Sequence, residues 1–249
     1  MTNKRALLVG INYVGTESEL KGCLNDVENM KNVLIKKYGY LEENIKILND
    51  NTEMKPTRKN ILVELLNLVL SESKYLFFHY SGHGSYVTDK DGDEADGNDE
   101  CLVPIDYETS GMIIDDELKG ILQCVGEESK LTVILDCCHS GSGLDLAYSS
   151  YERVRKLYML TDGKNKETRG NVIMISGCQD PQTSADAFIE NKNQGALTFA
   201  LLSCLNRSDV RTYEQLLREI KKILKDGKYS QIPCLSSGKK LDLTSNVNF

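Results

Sequence analysis

The sequence lacks the features that mark several classes of protein. No apolar run in its 249 residues approaches the length of a membrane-spanning helix, which argues against a membrane partner. The apolar run after the basic N-terminus is about five residues long, too short for the core of a signal peptide. Lys and Arg total 30 against 37 Asp and Glu, for a formal net charge of −7. This balance argues against a nucleic-acid partner, because such binding normally rests on clustered basic residues.

The eight cysteines show no pattern of a metal site or a disulfide framework. Their spacing contains no CxxC pair, so a tetrahedral zinc site is not expected. Several lie inside apolar runs, where a free cysteine behaves as a small hydrophobic residue. Without a secretory signal, we expect free thiols and a reducing compartment, the cytoplasm. Most of the cysteines are therefore expected in the core, and the functional question concerns one or two of them.

Apolar strands alternate with amphipathic helices along the chain. Strands are predicted at 6–10, 44–48, 74–80, 131–136 and 171–176, and helices at 25–40, 58–70, 195–205 and 213–224. The run 231–236 contains a proline and is predicted to be an edge strand. Two stretches, 89–100 and about 145–170, are predicted to be surface loops. Strands that are apolar throughout and separated by helices indicate an α/β fold, with a mostly parallel central sheet flanked by helices on both faces.

Two of the predicted central strands end in reactive side chains. His83 follows the third strand within SGHGS, and Cys137 and Cys138 follow the fourth within CCHSGSG. Ligands of an open parallel sheet bind at the carboxyl ends of its strands, so a thiol and an imidazole meet there if these strands are neighbours. An adjacent imidazole generates the thiolate that a cysteine nucleophile requires. The flanking glycines free backbone N–H groups to hold an oxyanion, and Gly84 is the candidate donor.

The other two histidines are weaker candidates for the base. His79 lies within a buried strand and is expected to be a hydrogen-bonded core residue. His139 directly follows the thiols, and because neighbouring side chains point apart it is a poor partner for Cys138. His83, in a glycine-flanked loop after a strand, is the best candidate.

Five sequence blocks in order resemble the metacaspases, the caspase-fold cysteine peptidases of plants, fungi, protists and bacteria in family C14. The blocks are GINY with LKGCLNDV, YSGHGS, DCCHSGSG, SGCQDPQTSADA and QIPCLSS, from about residue 5 to about residue 237. The resemblance, closest to the type I group, implies a caspase–hemoglobinase fold with a single peptidase domain over 1–249. Within that domain it implies a p20-like part at about 1–150, a connecting loop at about 145–170 and a p10-like part at about 171–249.

The resemblance also implies roles for the reactive residues. Cys138, directly before His-Ser-Gly, matches the nucleophile, and His83 matches the base of a catalytic dyad. Cys137 then becomes a neighbour that packs inward, although the residues alone leave it open as the reactive thiol. Like metacaspases in general, the chain is expected to be a monomer.

Two acids flank the expected dyad. Asp136 immediately precedes the thiols, and Asp26 follows the first strand at the start of a helix. Carboxylates that line a pocket pair with a guanidinium or ammonium group. Asp26 has a second interpretation, as an acid that favours the helix dipole, and the residues alone leave the two open. The metacaspase resemblance implies a substrate pocket of Cys23, Asp26, Ser81 and Asp136, hence protein or peptide substrates cleaved after Arg or Lys and poor cleavage after Asp.

The acidic stretch DKDGDEADGNDE at 89–100 has two interpretations. It is not an EF-hand loop, because Glu94 occupies the position that needs glycine. It is either a solvated loop or part of another kind of calcium site. The resemblance implies a site for an activating Ca²⁺ at Asp99, Asp115, Asp116 and Asp145. Asp145 is only seven residues past Cys138, so a cation there would order the nucleophile loop.

The stretch 145–170 is rich in Lys and Arg, so an enzyme that cuts after basic residues has candidate sites for autoprocessing in its own chain. Two other functions compete with that of a basic-specific peptidase. One is a catalytically silent caspase-fold interaction module, against which both dyad positions argue. The other is a legumain-like or aspartate-specific peptidase, against which the acidic pocket residues argue.

Overall fold

The computed structural model describes residues 3–88, 98–137, 144, 146–153, 156–161, 166–177, 186–189, 192–229 and 231–249. Its strands are β1 Lys4–Gly10, β2 Ile45–Asn49, β3 Tyr75–Ser81, β4 Gly84–Thr88, β5 Asn98–Leu102, β6 Ile113–Ile114, β7 Lys130–Asp136, β8 Tyr148–Arg153, β9 Lys156–Thr161, β10 Asn171–Ser176, β11 Asp186–Ile189, β12 Lys192–Gly195 and β13 Cys234–Ser237. Its helices are α1 Cys23–Tyr38, α2 Arg58–Val69, α3 Tyr107–Ser110, α4 Asp115–Leu122, α5 Ala196–Leu205 and α6 Tyr213–Asp226, with a short 3₁₀ turn at Glu42–Asn44.

The central sheet has eight strands in the order β2-β1-β3-β7-β10-β13-β8-β9. The pairs from β2 to β10 are parallel, and those from β10 to β9 are antiparallel. All strands and helices predicted from hydrophobic periodicity are present, with small shifts at their ends. Thr57, just before α2, accepts a hydrogen bond from the backbone N–H of Asn60, the side-chain capping that its hydroxyl favours. The prediction of a mostly parallel α/β sheet is confirmed.

Two apolar clusters lie on opposite faces of this sheet because successive strand residues point to opposite sides. Along β1, Ala6 and Leu8 belong to one cluster, and Leu7 and Val9 belong to the other. The first cluster contains the buried faces of α1, α5 and α6, and the second contains those of α2 and α4. Helices therefore cover both faces, as a parallel sheet requires.

The C-terminal part of the sheet differs from the prediction in two respects. The proline-containing segment is not an edge: β13 begins after Pro233 and pairs with β10 on one side and β8 on the other. The stretch 145–170 is not a loop throughout, because β8 and β9 form a hairpin that extends the sheet. Alternation explains the hairpin, since Leu157 is buried while the next residue, Tyr158, is exposed.

Two small sheets stand apart from the central one. β4, β5 and β6 form an antiparallel sheet directly after His83, and β11 and β12 form a hairpin that leads into α5. Among the residues that the structure describes, no helix is long and apolar enough to cross a membrane.

Candidate active site

The carboxyl ends of three parallel strands meet at one edge of the sheet. Gly10 of β1 lies opposite Ser81 of β3, and Ser81 lies opposite Asp136 of β7. The backbone N–H of Gly82 donates to the carbonyl oxygen of Asp136 at 3.4 Å, which ties together the loops that follow β3 and β7. The predicted neighbourhood of these strands is therefore confirmed. His83 follows β3 by two residues, and Cys138 follows β7 by two and lies outside the described residues.

His83 is held at this edge by contacts on its ring and on its backbone. Its Nε2 lies 2.8 Å from the carbonyl oxygen of Ser18, and its ring centroid lies 4.6 Å from that of Tyr13. Because a carbonyl only accepts hydrogen bonds, Nε2 carries the proton in this contact. The neutral ring then has its lone pair on Nδ1, which is the nitrogen that can take a proton from a thiol.

Two buried tyrosines form the support beneath His83. The backbone N–H of His83 donates to Tyr13 Oη at 3.0 Å, and Tyr80 Oη donates to the carbonyl oxygen of His83 at 2.8 Å. Burial raises the pKa of both phenols well above the ordinary value, so both remain neutral donors. We did not predict these tyrosines as site residues. The available signal was their place in the GINY and YSGHGS blocks.

Cys137 has the environment of a core residue. It is 1% exposed and packs in the cluster on the α2 and α4 face, so the predicted inward orientation is confirmed. A buried thiol among apolar side chains is a poor nucleophile, because burial disfavours the thiolate. His139 and Cys138 lie outside the described residues. Gly84, the predicted backbone donor to the oxyanion, begins β4 directly after His83.

The residues predicted to form the substrate pocket lie together below this edge. Ser81 Oγ donates to Asp26 Oδ2 at 2.7 Å. Cys23 begins α1, one helical turn before Asp26 on the same side of the helix. A Cβ on Gly195 would lie under 3.0 Å from an oxygen of both Asp26 and Asp136, so these two carboxylates are close neighbours. All four residues are buried.

The start of α5 points at both carboxylates. The backbone N–H of Gly195, the residue that precedes the helix, donates to both oxygens of Asp26 at 2.9 and 3.1 Å. The backbone N–H of Thr198 donates to Asp136 Oδ2 at 2.7 Å. Asp26 also lies in the first turn of α1, which confirms its interpretation as a helix-terminal acid, and its role in a substrate pocket stays a prediction. The N-terminus of α5 offsets part of the cost of burying two acids side by side.

Burial sets the ionisation of Asp136. It raises the pKa of this carboxyl, and hydrogen bonds from the backbone and side chain of Thr198 and from the backbone of Leu197 oppose the increase. A cation in the pocket would act in the same direction as these hydrogen bonds, because an opposite charge nearby favours the ionised form. Two buried carboxylates that lie side by side therefore define the electrostatics of this site.

His79 is the core histidine that we expected. It is fully buried, and its Nε2 lies 3.1 Å from Thr198 Oγ1. Burial lowers its pKa to about 3, so the ring is neutral at physiological pH. Thr198 thus contacts both a buried imidazole and a buried carboxylate, a link between β3, α5 and β7 that sequence separation concealed.

Three of the four predicted calcium ligands lie in the described part of the chain. Asp99 is in β5, and Asp115 and Asp116 begin α4; Asp145 lies outside the described residues. Asp99 and Asp115 are buried, and burial followed by these two charges raises the pKa of the Cys101 thiol to about 12. Both carboxylates are therefore near Cys101. Within the described residues, no three or more His, Cys, Asp or Glu side chains form a complete metal-binding cluster. Buried carboxylate oxygens are nevertheless suitable donors for Ca²⁺.

The chain matches a known family profile and is similar to curated proteins of that family. The family profile "Metacaspase, peptidase C14 domain" matches residues 4–147. Metacaspase-1 of Eremothecium gossypii is 37% identical over an alignment that covers 99% of this chain and 66% of the relative. Metacaspase-1 of Schizosaccharomyces pombe is 37% identical, with coverage of 96% and 68%. The chain spans about two thirds of the length of these curated relatives.

Solved structures show the same fold at lower identity. Protein GSU0716 from Geobacter sulfurreducens superposes with a TM-score of 0.69 at 24% identity, and the match covers 97% of each chain. Caspase-1 from Spodoptera frugiperda gives a TM-score of 0.61 at 13% identity, covering 99% of this chain and 89% of the other. The predicted caspase fold is confirmed by these two likenesses.

Proposed function

Because this chain belongs to the metacaspases, a family of caspase-like cysteine peptidases, we propose that it is a calcium-dependent endopeptidase that cleaves proteins after Arg or Lys. Cys138 is the nucleophile and His83 the base. The imidazole Nδ1 takes the thiol proton as the sulfur attacks the scissile carbonyl carbon, and the same proton is then given to the leaving amine. The backbone N–H of Gly84 stabilises the oxyanion. Water then hydrolyses the thioester and restores the thiol.

The observation that carries this proposal is the parallel pairing of β3 with β7. With Ser81 opposite Asp136, the loop that bears His83 and the loop that bears Cys138 leave neighbouring strands at the same level. The contact between His83 Nε2 and the Ser18 carbonyl leaves the other ring nitrogen as the base. Both features support a dyad between residues 55 positions apart in the sequence.

The pair of buried acids supports cleavage after basic residues. Asp26 and Asp136 face the same point beside Gly195, and both carboxylates are buried. A guanidinium or ammonium group of the substrate would neutralise them, and arginine would do so with two parallel hydrogen bonds. A substrate aspartate would add a third negative charge to the same pocket. We therefore expect poor cleavage after Asp.

Calcium activation rests on the acids beside the small sheet. Asp99, Asp115 and Asp116 would hold Ca²⁺ together with Asp145, and the ion would supply a positive charge that organises their carboxylates. Asp99 and Asp115 are buried near Cys101, and carboxylate oxygens are the ligands that Ca²⁺ prefers. Asp145 connects such a site to the segment after the nucleophile, which gives the ion a route to affect activity.

Three further properties belong to this proposal. The basic stretch around β8 and β9 is the candidate for self-processing. We expect a monomer, because pairing of β8 with β13 covers the edge that β13 would otherwise offer to a second copy. We place the enzyme in a reducing compartment, the cytoplasm, because the nucleophile must remain a thiol.

The test is the hydrolysis of fluorogenic peptides that end in Arg, Lys or Asp, each with millimolar Ca²⁺ and with chelator. Wild type, Cys138→Ala and Cys124→Ala are compared. Cys124 is an exposed thiol away from the candidate site, so its loss controls for thiol removal in general. We expect calcium-dependent cleavage of the Arg and Lys peptides by wild type and Cys124→Ala, and none by Cys138→Ala.

Several results would contradict parts of the proposal. Cleavage that survives Cys138→Ala would exclude Cys138 as the nucleophile. Equal rates of cleavage after Asp and after Arg would exclude the two acids as the determinants of specificity. Equal rates with and without chelator would remove the calcium requirement. Self-processing is checked on a denaturing gel of the active and Cys138→Ala proteins after incubation with Ca²⁺. Identical uncut bands would exclude it.

A further inference from the structure

A row of three buried polar side chains connects β3, α5 and β7 behind the acid pocket. His79 Nε2 lies 3.1 Å from Thr198 Oγ1, and the backbone N–H of Thr198 lies 2.7 Å from Asp136 Oδ2. The Thr198 side chain, on the same residue, also opposes the rise in the pKa of the Asp136 carboxyl. None of the three side chains is exposed to solvent. The row thus ends on one of the two acids proposed to bind the substrate's basic side chain.

The chemistry of the three groups fixes the direction of the hydrogen bonds. An ionised carboxylate only accepts, so the Thr198 hydroxyl supports the charged form of Asp136 by directing its proton toward it. The hydroxyl oxygen then accepts from His79, whose neutral ring carries its proton on Nε2. Nδ1 of His79 is buried and has no hydrogen-bond partner among the described residues. Within the described part of the chain, the imidazole therefore makes its one polar contact with Thr198.

We propose that Thr198 and His79 are positioning residues that keep Asp136 ionised and oriented for a basic substrate side chain. This inference rests on the proposed function, since it concerns the same pocket. Burial favours the protonated carboxyl, and a neutral Asp136 would attract a guanidinium group only weakly. Each donor aimed at the carboxylate favours its charged form, and a donor that itself accepts a hydrogen bond is a stronger one.

Helix capping alone does not account for this row. The backbone N–H of Thr198 already joins the start of α5 to Asp136, and this contact does not need the hydroxyl or the imidazole. Apolar side chains of similar volume would fill the space without the cost of burying a polar ring. The titratable groups that face Asp136 in the described region are Asp26 from α1 and, through Thr198, His79 from β3. Asp26 opposes ionisation of Asp136, so the donors on the other side act against it.

The experiment compares two matched pairs of variants. Thr198→Val removes the hydroxyl at nearly constant volume, and Thr198→Ser keeps it. His79→Leu removes the ring donor, and His79→Gln places an amide donor near the position of Nε2. For each protein, kcat and KM are measured with the Arg peptide between pH 5 and pH 9, together with thermal unfolding. The affinity of benzamidine, a rigid amidinium cation, is measured by calorimetry in the Cys138→Ala background, where no cleavage takes place.

We expect Thr198→Val to raise KM and the benzamidine Kd about 10- to 100-fold near neutral pH, as for loss of one hydrogen bond to a charged group. The effect on kcat should be much smaller, and the KM defect should shrink as pH rises and Asp136 ionises. Thr198→Ser should recover most of the affinity. His79→Leu should raise KM and the benzamidine Kd by a smaller factor, and His79→Gln should raise them less than His79→Leu does. The double variant should have the same KM as Thr198→Val alone, because the ring acts through the hydroxyl.

The outcomes separate this inference from the proposed function. If wild type cleaves the Arg peptide but Thr198→Val and Thr198→Ser have equal KM at every pH, the inference is wrong and the proposed function stands. A fall in kcat with unchanged KM also overturns it. If Thr198→Val does not fold, the His79 pair decides in the same way. If wild type neither cleaves the Arg peptide nor binds benzamidine, the proposed function fails and the inference fails with it.

Discussion

A methyl group at Gly195 tests the packing of the acid pocket directly. In Gly195→Ala the new Cβ would lie under 3.0 Å from oxygens of both Asp26 and Asp136, a separation that real Cβ atoms essentially never show. The backbone there has φ −66° and ψ 135°, which alanine adopts without strain. Any destabilisation therefore arises from the clash, because alanine at a compatible backbone conformation is otherwise favourable. Neither carboxylate can rotate away without breaking a bond to Ser81 or to the Thr198 N–H.

Overpacking of this kind costs about 1–3 kcal/mol. In a chain of this length each kcal/mol shifts Tm by about 2–4 °C, so we expect Tm to fall by several degrees. Because the clash separates the two acids, KM for the Arg peptide should rise more than kcat falls. Gly120→Ala is the matched control: it lies in α4, where a Cβ meets open space, and alanine there should stabilise by up to about 1 kcal/mol.

Circular dichroism follows unfolding, and the fluorogenic Arg peptide reports the kinetics. The reasoning is refuted if Gly195→Ala unfolds at the wild-type temperature and binds the Arg peptide with the wild-type KM. It is also refuted if Gly120→Ala loses as much stability as Gly195→Ala, since the loss would then follow from any added methyl group.

Three other predictions follow from the same contacts. Tyr13→Phe removes the acceptor for the His83 N–H and should lower kcat about 3- to 10-fold with little change in KM; an unchanged kcat would contradict this role. Burial raises the pKa of Asp136, so the stability that this group contributes is present below pH about 3.9 and is lost as pH rises through the raised pKa. Asp136→Asn should therefore gain Tm relative to wild type as pH rises above about 3.9, while losing cleavage after Arg, and parallel Tm curves would oppose this. The Phe249 ring packs on Phe77 and Tyr38, so Phe249→Ala should cost about 3–5 kcal/mol in urea unfolding, and a cost below 1 kcal/mol would argue against that packing.

The sequence was sufficient to predict the central strands and most helices, because each has a regular pattern of apolar residues along its length. β3 and β7 are rich in apolar residues and are buried along all but their first residue, as expected for strands covered on both faces. The same reasoning missed β8 and β9, whose tyrosines, serines and charges gave the composition of a loop. The proline in 231–236 led to the wrong prediction of an edge strand. Pro233 lies just before β13 and removes no hydrogen bond from it, so the strand can be central.

The site was predictable where it lies next to a strand end, and not where it depends on distant contacts. His83 and Asp136 follow from the ends of β3 and β7, whereas Ser81 was implied only by the resemblance to metacaspases. The carbonyl of Ser18, 65 residues from His83, carries no sequence signal, because any residue supplies a carbonyl. Thr198 lies 119 residues from His79, and Gly195 lies 169 residues from Asp26. Only the folded chain shows that the start of α5 contacts Asp26 and Asp136.

The central sheet contains strands from both parts of the chain, about 1–150 and about 171–249, and this matters if the chain is cut between them. β7, from the first part, pairs along its length with β10 from the second, and β8 pairs with β13. The start of α5 binds Asp26 and Asp136 across the same division. A single cut near β8 and β9 would therefore leave two interlocked fragments that separate in denaturant but migrate together as one particle in gel filtration. We therefore expect such a cut to affect mainly the loops beside it, while the two fragments continue to share one hydrophobic core.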